Sequence, residues 1–275
     1  MSKAWLKEVF GTPKPVIAMA HLPALPGAPL YDRSQGMAGV VAALVRDLSR
    51  LQAGGVDGIM FCNENDRPYE LHVPTEGVAA MAYAIGVVRS ELHVPFGVDL
   101  LWDPVASVAL AHAVGARFVR EVFTGLYSSD MGLWQGAAAE ALRLRAQLGD
   151  NHQVRLLFNT SAEFASPLGG RTAAKTAKSV AFSSLPDAIC VSGTMTGEAV
   201  EMDGLAEVVA EVSETPVFVN TGVNAGTIGR YLELADGVIV GTALKVDGHT
   251  FNPVDESRVR TLMAAAEKAR SAVRA

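Results

Sequence analysis

Carboxylates and amides recur in this sequence where short apolar runs stop. Glu64 follows the run DGIMFCN, Asp99 lies in PFGVDLLW and Glu121 in RFVREVF. Carboxyl groups brought close together raise one another's pKa, which suits general acid and base work. Glu121 and Asp99 are therefore the expected acid and base, with Glu64 and Asn159 beside them. His21, Asn63, Ser192, Thr194 and Asn220 close other apolar runs and are the expected substrate-binding side chains. For each carboxylate the competing reading is a salt bridge at a rim, and Arg120, Arg155 and Arg171 are available partners.

Two glycine-rich turns suggest what else is held. Residues 220–230 read NTGVNAGTIGR and residues 241–245 read GTALK. Glycine lets the backbone come close to a ligand, and successive N–H groups can point at one anion. The N–H groups of Gly222, Val223, Gly241 and Thr242 are expected to cradle a phosphate, with Lys245 supplying a charge. Tight turns and nothing more are the alternative.

Other chemistry is narrowed by what is missing. Three acids with His21 would offer oxygen and nitrogen ligands to a divalent cation, so that option stays open, although no cofactor is required. The HxxxH, HExxH and Cys/His spacings that would name a metal site are absent. No lysine occurs between Lys14 and Lys175, which removes a Schiff-base lysine from the middle of the chain. Cys62 and Cys190 form no CxxC and read as structural thiols. His72, His93, His112, His152 and His249 fall on helices or loops and take no role.

The elements that must position these groups follow a simple rhythm. Strands are expected at 15–21, 57–63, 95–102, 117–123, 154–160, 187–193, 216–222 and 236–242. They are apolar throughout rather than alternating, as buried parallel strands are. Helices are expected at 36–55, 75–92, 103–116, 136–149, 171–185, 204–214, 225–234 and 256–273. Strands two, four, six and eight open alike (GGVDGI, VGARFV, LPDAIC, LADGVI), which gives a βαβα unit repeated four times. That pattern is the signature of an α/β protein of the (β/α)8 TIM-barrel class in one domain spanning 1–275. In such a barrel function sits on the loops after the strands, and a phosphate commonly binds after strands seven and eight, where the two glycine turns fall. After strand one, HLPALPGAPLYD (21–32) reads as a lid or substrate-binding loop, with a stiff connector as the alternative.

Composition agrees. Of 275 residues 49% are hydrophobic and 19% charged, and the net charge is -6. An acidic surface repels phosphate backbones, so nucleic acid is not an expected partner. No apolar run reaches the ~18 residues of a membrane span, and a cytoplasmic protein is expected. Ala-rich helices provide surfaces for a homo-oligomer.

AMAHLPALPGAP resembles the opening signature of the BtpA/SgcQ family. So do AGGVDGIMFCNENDRPY, FVREVFTG, CVSGTMTG and DGVIVGTALKVDGHTFNPVDESRV, so the resemblance covers most of the chain. It implies a TIM barrel. One member is associated with photosystem I biogenesis, and others are linked to sugar metabolism and described as nucleosidase-like. The chain departs from that pattern at strands three to five, where it reads VDLLWDP, REV and FNTSAEFAS, and at strand seven, where it reads NTG. A divergent member with altered chemistry or substrate is implied.

The leading expectation is an enzyme acting on a small phosphorylated, sugar-like or nucleoside-like metabolite. Lyase, glycosidase-like and isomerase chemistry all fit. The alternative is a non-catalytic assembly or stability factor, or a metabolite-binding protein. A metal-dependent hydrolase built on Glu64, Asp99, Glu121 and His21 is a third.

Overall fold

The computed structural model describes residues 3–193 and 197–274. Eleven strands are described: β1 (Val16–His21), β2 (Gly58–Cys62), β3 (Phe96–Asp99), β4 (Phe118–Glu121), β5 (Leu126–Ser129), β6 (Gly132–Gln135), β7 (Arg155–Asn159), β8 (Ala165–Pro167), β9 (Ala188–Val191), β10 (Val217–Val219) and β11 (Gly237–Val240). Eight of them close a parallel barrel in the order β1-β11-β10-β9-β7-β4-β3-β2. The expected TIM barrel is thus the fold, and its strands are those marked from the apolar runs, trimmed by a few residues at their ends.

The helices are α1 (Ala4–Phe10), α2 (Gly36–Ala53), α3 (Thr75–Val88), α4 (Pro104–Val114), α5 (Ala138–Gln147), α6 (Ala173–Ser183), α7 (Met202–Glu211), α8 (Ile228–Leu234) and α9 (Glu256–Arg274). Local chemistry sets their ends. The Asp103 side chain accepts from Ala106 N–H at 2.9 Å, Pro104 opens α4, and Gly115 closes it in the left-handed region. Thr172 caps α6 in the same way, accepting from Lys175 N–H.

Inside the barrel, Ile17, Met60, Phe118, Leu157, Ala188, Phe218 and Ile239 form one apolar cluster. Space is tight enough that neighbours of the large rings have no side chain. A Cβ on Gly97 would lie 2.3 Å from the Phe118 ring, and one on Gly237 2.4 Å from the Phe218 ring. A second, larger cluster packs the outer face of the strands against the helices.

Two features were not expected from the sequence. Helix α1 closes the end of the barrel where the strands begin: Trp5, Leu6 and Phe10 join the interior cluster, and the Phe10 and Phe118 rings lie 5.5 Å apart. At the other end, β6, β5 and β8 form an antiparallel three-stranded sheet. Its strands come from the loops after β4 and β7, so it stands over the mouth. Trp134 of this sheet packs on Trp102 at 5.1 Å between centroids, with Tyr69 and Phe164 alongside.

Candidate functional site

A cavity of about 210 Å³ opens at the mouth, where the strands end. Its floor carries His21, Glu64, Arg120 and Glu163, one wall is Leu101 and Trp102, and the opposite wall is 220–224 and 239–243. Thus His21, Glu64, Asn220, Gly222, Val223, Gly241 and Thr242, all singled out in the sequence, meet in one place.

Arg120 organises the floor. Alternation along β4 turns Phe118 and Arg120 inward. Its Nη1 donates to Asp99 Oδ2 at 2.7 Å, its Nη2 to Glu163 Oε1 at 2.8 Å, and its Nε to Asn159 Oδ1 at 3.2 Å. With the Asn220 amide nitrogen donating to Val191 O at 2.8 Å, the amide oxygen lies 2.9 Å from Arg120 Nη2. Two carboxylates against one guanidinium leave this floor acidic.

Glu64 is buried at the cavity edge. Burial, and next the Glu163 carboxylate, push its carboxyl up to about 7. The Tyr69 hydroxyl lies 3.1 Å from Glu64 O and 3.4 Å from Oε1. His21 is shifted the other way. Burial, and next the Lys245 charge, hold it well below the usual imidazole value, so the ring is neutral. Its Nδ1 lies 3.4 Å from Thr250 O. A carbonyl only accepts, so Nδ1 carries the proton and Nε2 the lone pair. The Nε2 edge lies against Gly241, where an added Cβ would be 3.4 Å away.

Gly222 and Gly241 are required for different reasons. Gly222 has φ +65°, and a Cβ there would come within 2.4 Å of Ala199 Cα and Glu198 O. The loop after β9 packs on it, so its need for glycine is met within the fold. At Gly241 the contacts are the His21 ring and Met19, both at the cavity. Thr242 opens a short 3-10 turn to Leu244, whose first N–H groups have no carbonyl to bond within the turn. The Thr242 and Thr250 hydroxyls lie 2.8 Å apart, and Thr221 Oγ1 accepts from Gly193 N–H at 2.5 Å.

Other expected site residues lie elsewhere. Asp99 and Glu121 have no exposure and sit beneath the floor, out of the cavity lining. Asn159 lies beneath it too, between Arg120 and Asn220. Asn63 ties loops together: its Oδ1 accepts from Leu101 N–H at 2.8 Å and its Nδ2 donates to Asp66 Oδ2 at 3.2 Å. Ser192 is half-buried just past β9, and Thr194 lies outside the described residues. Lys245 turns away from the cavity towards α2, where its Nζ lies 3.6 Å from Asp47 Oδ2. His21, the last residue of β1, lines the cavity, while Pro26, Gly27, Ala28 and Pro29 of the Pro-rich loop after it line a separate pocket. Arg120 and Glu163 were missed as site residues. The first was weighed only as an ion-pair partner, and the second sits in a segment with no strand signal.

Among the described residues no group of three or more His, Cys, Asp or Glu side chains is gathered as a metal ion would need. Both thiols are buried, and burial pushes Cys190 up to about 12 and Cys62 well above its ordinary value. Neither is a nucleophile at neutral pH.

The sequence profile of the BtpA family matches residues 12–268. The chain belongs to the BtpA family. The sgc region protein SgcQ of Escherichia coli is 46% identical to this BtpA-family chain, over 94% of it and 97% of SgcQ. The photosystem I biogenesis protein BtpA of Synechocystis is 32% identical, over 94% of this chain and 90% of BtpA. Among solved structures, thiamine phosphate pyrophosphorylase from Pyrococcus furiosus matches with a TM-score of 0.57 at 15% identity, over 94% of this chain and 96% of that one. Phosphoribosyl anthranilate isomerase from Thermus thermophilus matches at 0.56 and 12%, over 92% and 98%. Likeness at this identity speaks to the barrel alone. No helix among the described residues of this BtpA-family barrel is long and apolar enough to cross a membrane.

Proposed function

We propose that this BtpA-family barrel is an enzyme acting on a small phosphorylated, sugar-like or nucleoside-like metabolite by acid/base catalysis. The observation that carries the reading is the opposed titration of two groups in one cavity. Glu64 is raised to about 7, while His21 is held neutral. Environments that drive two titratable groups apart in this way assign the roles of acid and base. Glu64 keeps a proton to give at neutral pH, and His21 Nε2 keeps a lone pair to receive one.

The phosphate of the substrate lies against the wall formed by Gly222, Val223, Gly241 and Thr242, where backbone N–H groups and the Thr242 hydroxyl meet it. The carbon skeleton then rests over the floor. Asn220 bonds a hydroxyl there. The Glu163 carboxylate, which lines the cavity beside Arg120, favours positive charge developing on the reacting carbon. That suits cleavage of a C–O or C–N bond with Glu64 protonating the leaving atom.

The name of the Synechocystis relative favours a second reading, a non-catalytic biogenesis factor. Thermal unfolding against sugar phosphates, nucleotides and their dephosphorylated counterparts separates the two. A ligand that binds only the native state raises the melting temperature by mass action. Stabilisation by the phosphorylated members alone is expected. No shift with any of them removes the phosphate site and leaves the biogenesis reading.

A further inference from the structure

Asp99 and Glu121 lie on neighbouring strands, both with no exposure. One oxygen of each has a partner: Asp99 Oδ2 accepts from Arg120 Nη1 at 2.7 Å, and Glu121 Oε2 from Val122 N–H at 2.8 Å. The other two, Asp99 Oδ1 and Glu121 Oε1, are buried with no hydrogen-bond partner among the described residues. The two carboxyl groups are within hydrogen-bonding reach of each other. If both were ionised, two acceptors would face one another in a dry site with no donor between them, which is strongly unfavourable. One proton between the two orphaned oxygens satisfies both.

The partners say which residue holds it. The charge-assisted bond from Arg120 favours the ionised form of Asp99. Glu121 has only a backbone N–H, a weaker stabiliser of charge. We propose that Glu121 stays protonated at neutral pH and is a positioning residue, donating to Asp99 Oδ1 so that Asp99 holds Arg120 under the cavity. The consequence for catalysis rests on the proposed function, but the shared proton does not.

The surroundings agree. Arg120 is the cation that faces the pair. Cys62 on β2 and Glu163 after β7 also face it, and the Cys62 thiol is kept protonated by burial. Burial, and next the Asp99 charge, drive Glu121 well above the ordinary carboxyl value.

Infrared spectroscopy of the full chain tests the proton directly. Wild type is expected to show the carbonyl stretch of a protonated carboxyl group that persists as pH is raised past about 7, where the contribution of Glu64 titrates away. Glu121→Gln should lose that persistent band, and Glu64→Gln should keep it. Its absence from wild type, or its survival in Glu121→Gln, overturns the proposal.

NMR of the Arg120 Nε–H tests the positioning. Slow hydrogen exchange is expected in wild type and in Glu121→Gln, whose amide still donates to Asp99. Fast exchange is expected in Glu121→Leu. An unchanged signal in Glu121→Leu overturns the positioning role, and so does a Glu121→Gln that behaves like Glu121→Leu. Neither measurement needs a ligand. A persistent band together with no response to any phosphorylated compound would remove the enzyme and leave the shared proton standing.

Discussion

Arg120 Nη2 and Glu163 Oε1, from β4 and the loop after β7, meet at 2.8 Å in the floor of the cavity. The guanidinium is held from its other side by Asp99 at 2.7 Å. Arg120→Met leaves two buried carboxylates without their cation. Breaking a buried pair from one side costs about 3–5 kcal/mol. Urea unfolding should show a loss of that size, and Arg120→Lys should recover only part of it, because an ammonium cannot bond three partners in the planar fork. A stability for Arg120→Met equal to wild type would show that this network is not held as described.

Glu64 ties activity and stability to the same proton. On the proposed function it is a general acid, active when protonated, so kcat/KM should fall about tenfold per pH unit above its titration point. Glu64→Gln should lose activity by about 10²–10⁴-fold and show no such limb. Folding raises this carboxyl from 4.5 to about 7, so the folded protein binds a proton that the unfolded chain releases between those values. Its contribution to stability is full below pH 4.5 and is lost as pH rises towards 7. The loss is at most about 3 kcal/mol. Chemical denaturation of wild type against Glu64→Gln over this range reads it as a change in the difference between the two, in favour of the variant as pH rises.

The wall proposed to hold the phosphate has a variant that spares the fold. Thr242→Val keeps the shape of the cavity-lining residue and removes its hydroxyl, whose part-buried bond to Thr250 is worth about 1 kcal/mol. The melting shift given by a phosphorylated ligand should shrink, while the melting temperature without ligand moves little. Gly222→Ala should behave in the opposite way. Its positive φ and the approach of Ala199 predict a loss of more than about 1 kcal/mol before any ligand is added.

Lys245 and Asp47 form a buried pair outside the cavity. Lys245→Met leaves the Asp47 charge with Val254 N–H and the half-exposed Arg46 side chain at 3.9 Å, and should destabilise by about 1–3 kcal/mol. Adding Asp47→Asn removes that charge and keeps an acceptor for Val254 N–H, so stability should partly return. The response to phosphorylated ligands, measured on whichever variant folds, should match wild type. A lost response would bring Lys245 back to the anion.

The barrel was legible because its strands are buried on both faces and flanked by amphipathic helices. That same burial hid the site. In RFVREVF every position looks like core, so the sequence does not say that Arg120 faces the cavity while Glu121 does not. Alternation resolves this only once the inward face is known, and Phe118 marks it. The sheet of β5, β6 and β8 escaped notice because its strands have three or four residues each, and β8 joins it from another loop. Lys245 was assigned to the phosphate by its distance along the chain from Gly241. The turn between them sends its side chain outward to α2. Glu163 follows a strand without repeating any motif, and only the distance to Arg120 reveals it.

Helix α1 seals the barrel from below with Trp5, Leu6 and Phe10. Above that seal the interior is filled by Ile17, Met60, Phe118, Leu157, Phe218 and Ile239, so the cavity is reached from the mouth. A compound bound over Arg120 leaves by the way it came in, past Trp102 on one side and the 220–224 loop on the other. On the proposed function, a product still lodged in the cavity shuts out the next substrate, and inhibition by the last product to leave would be competitive.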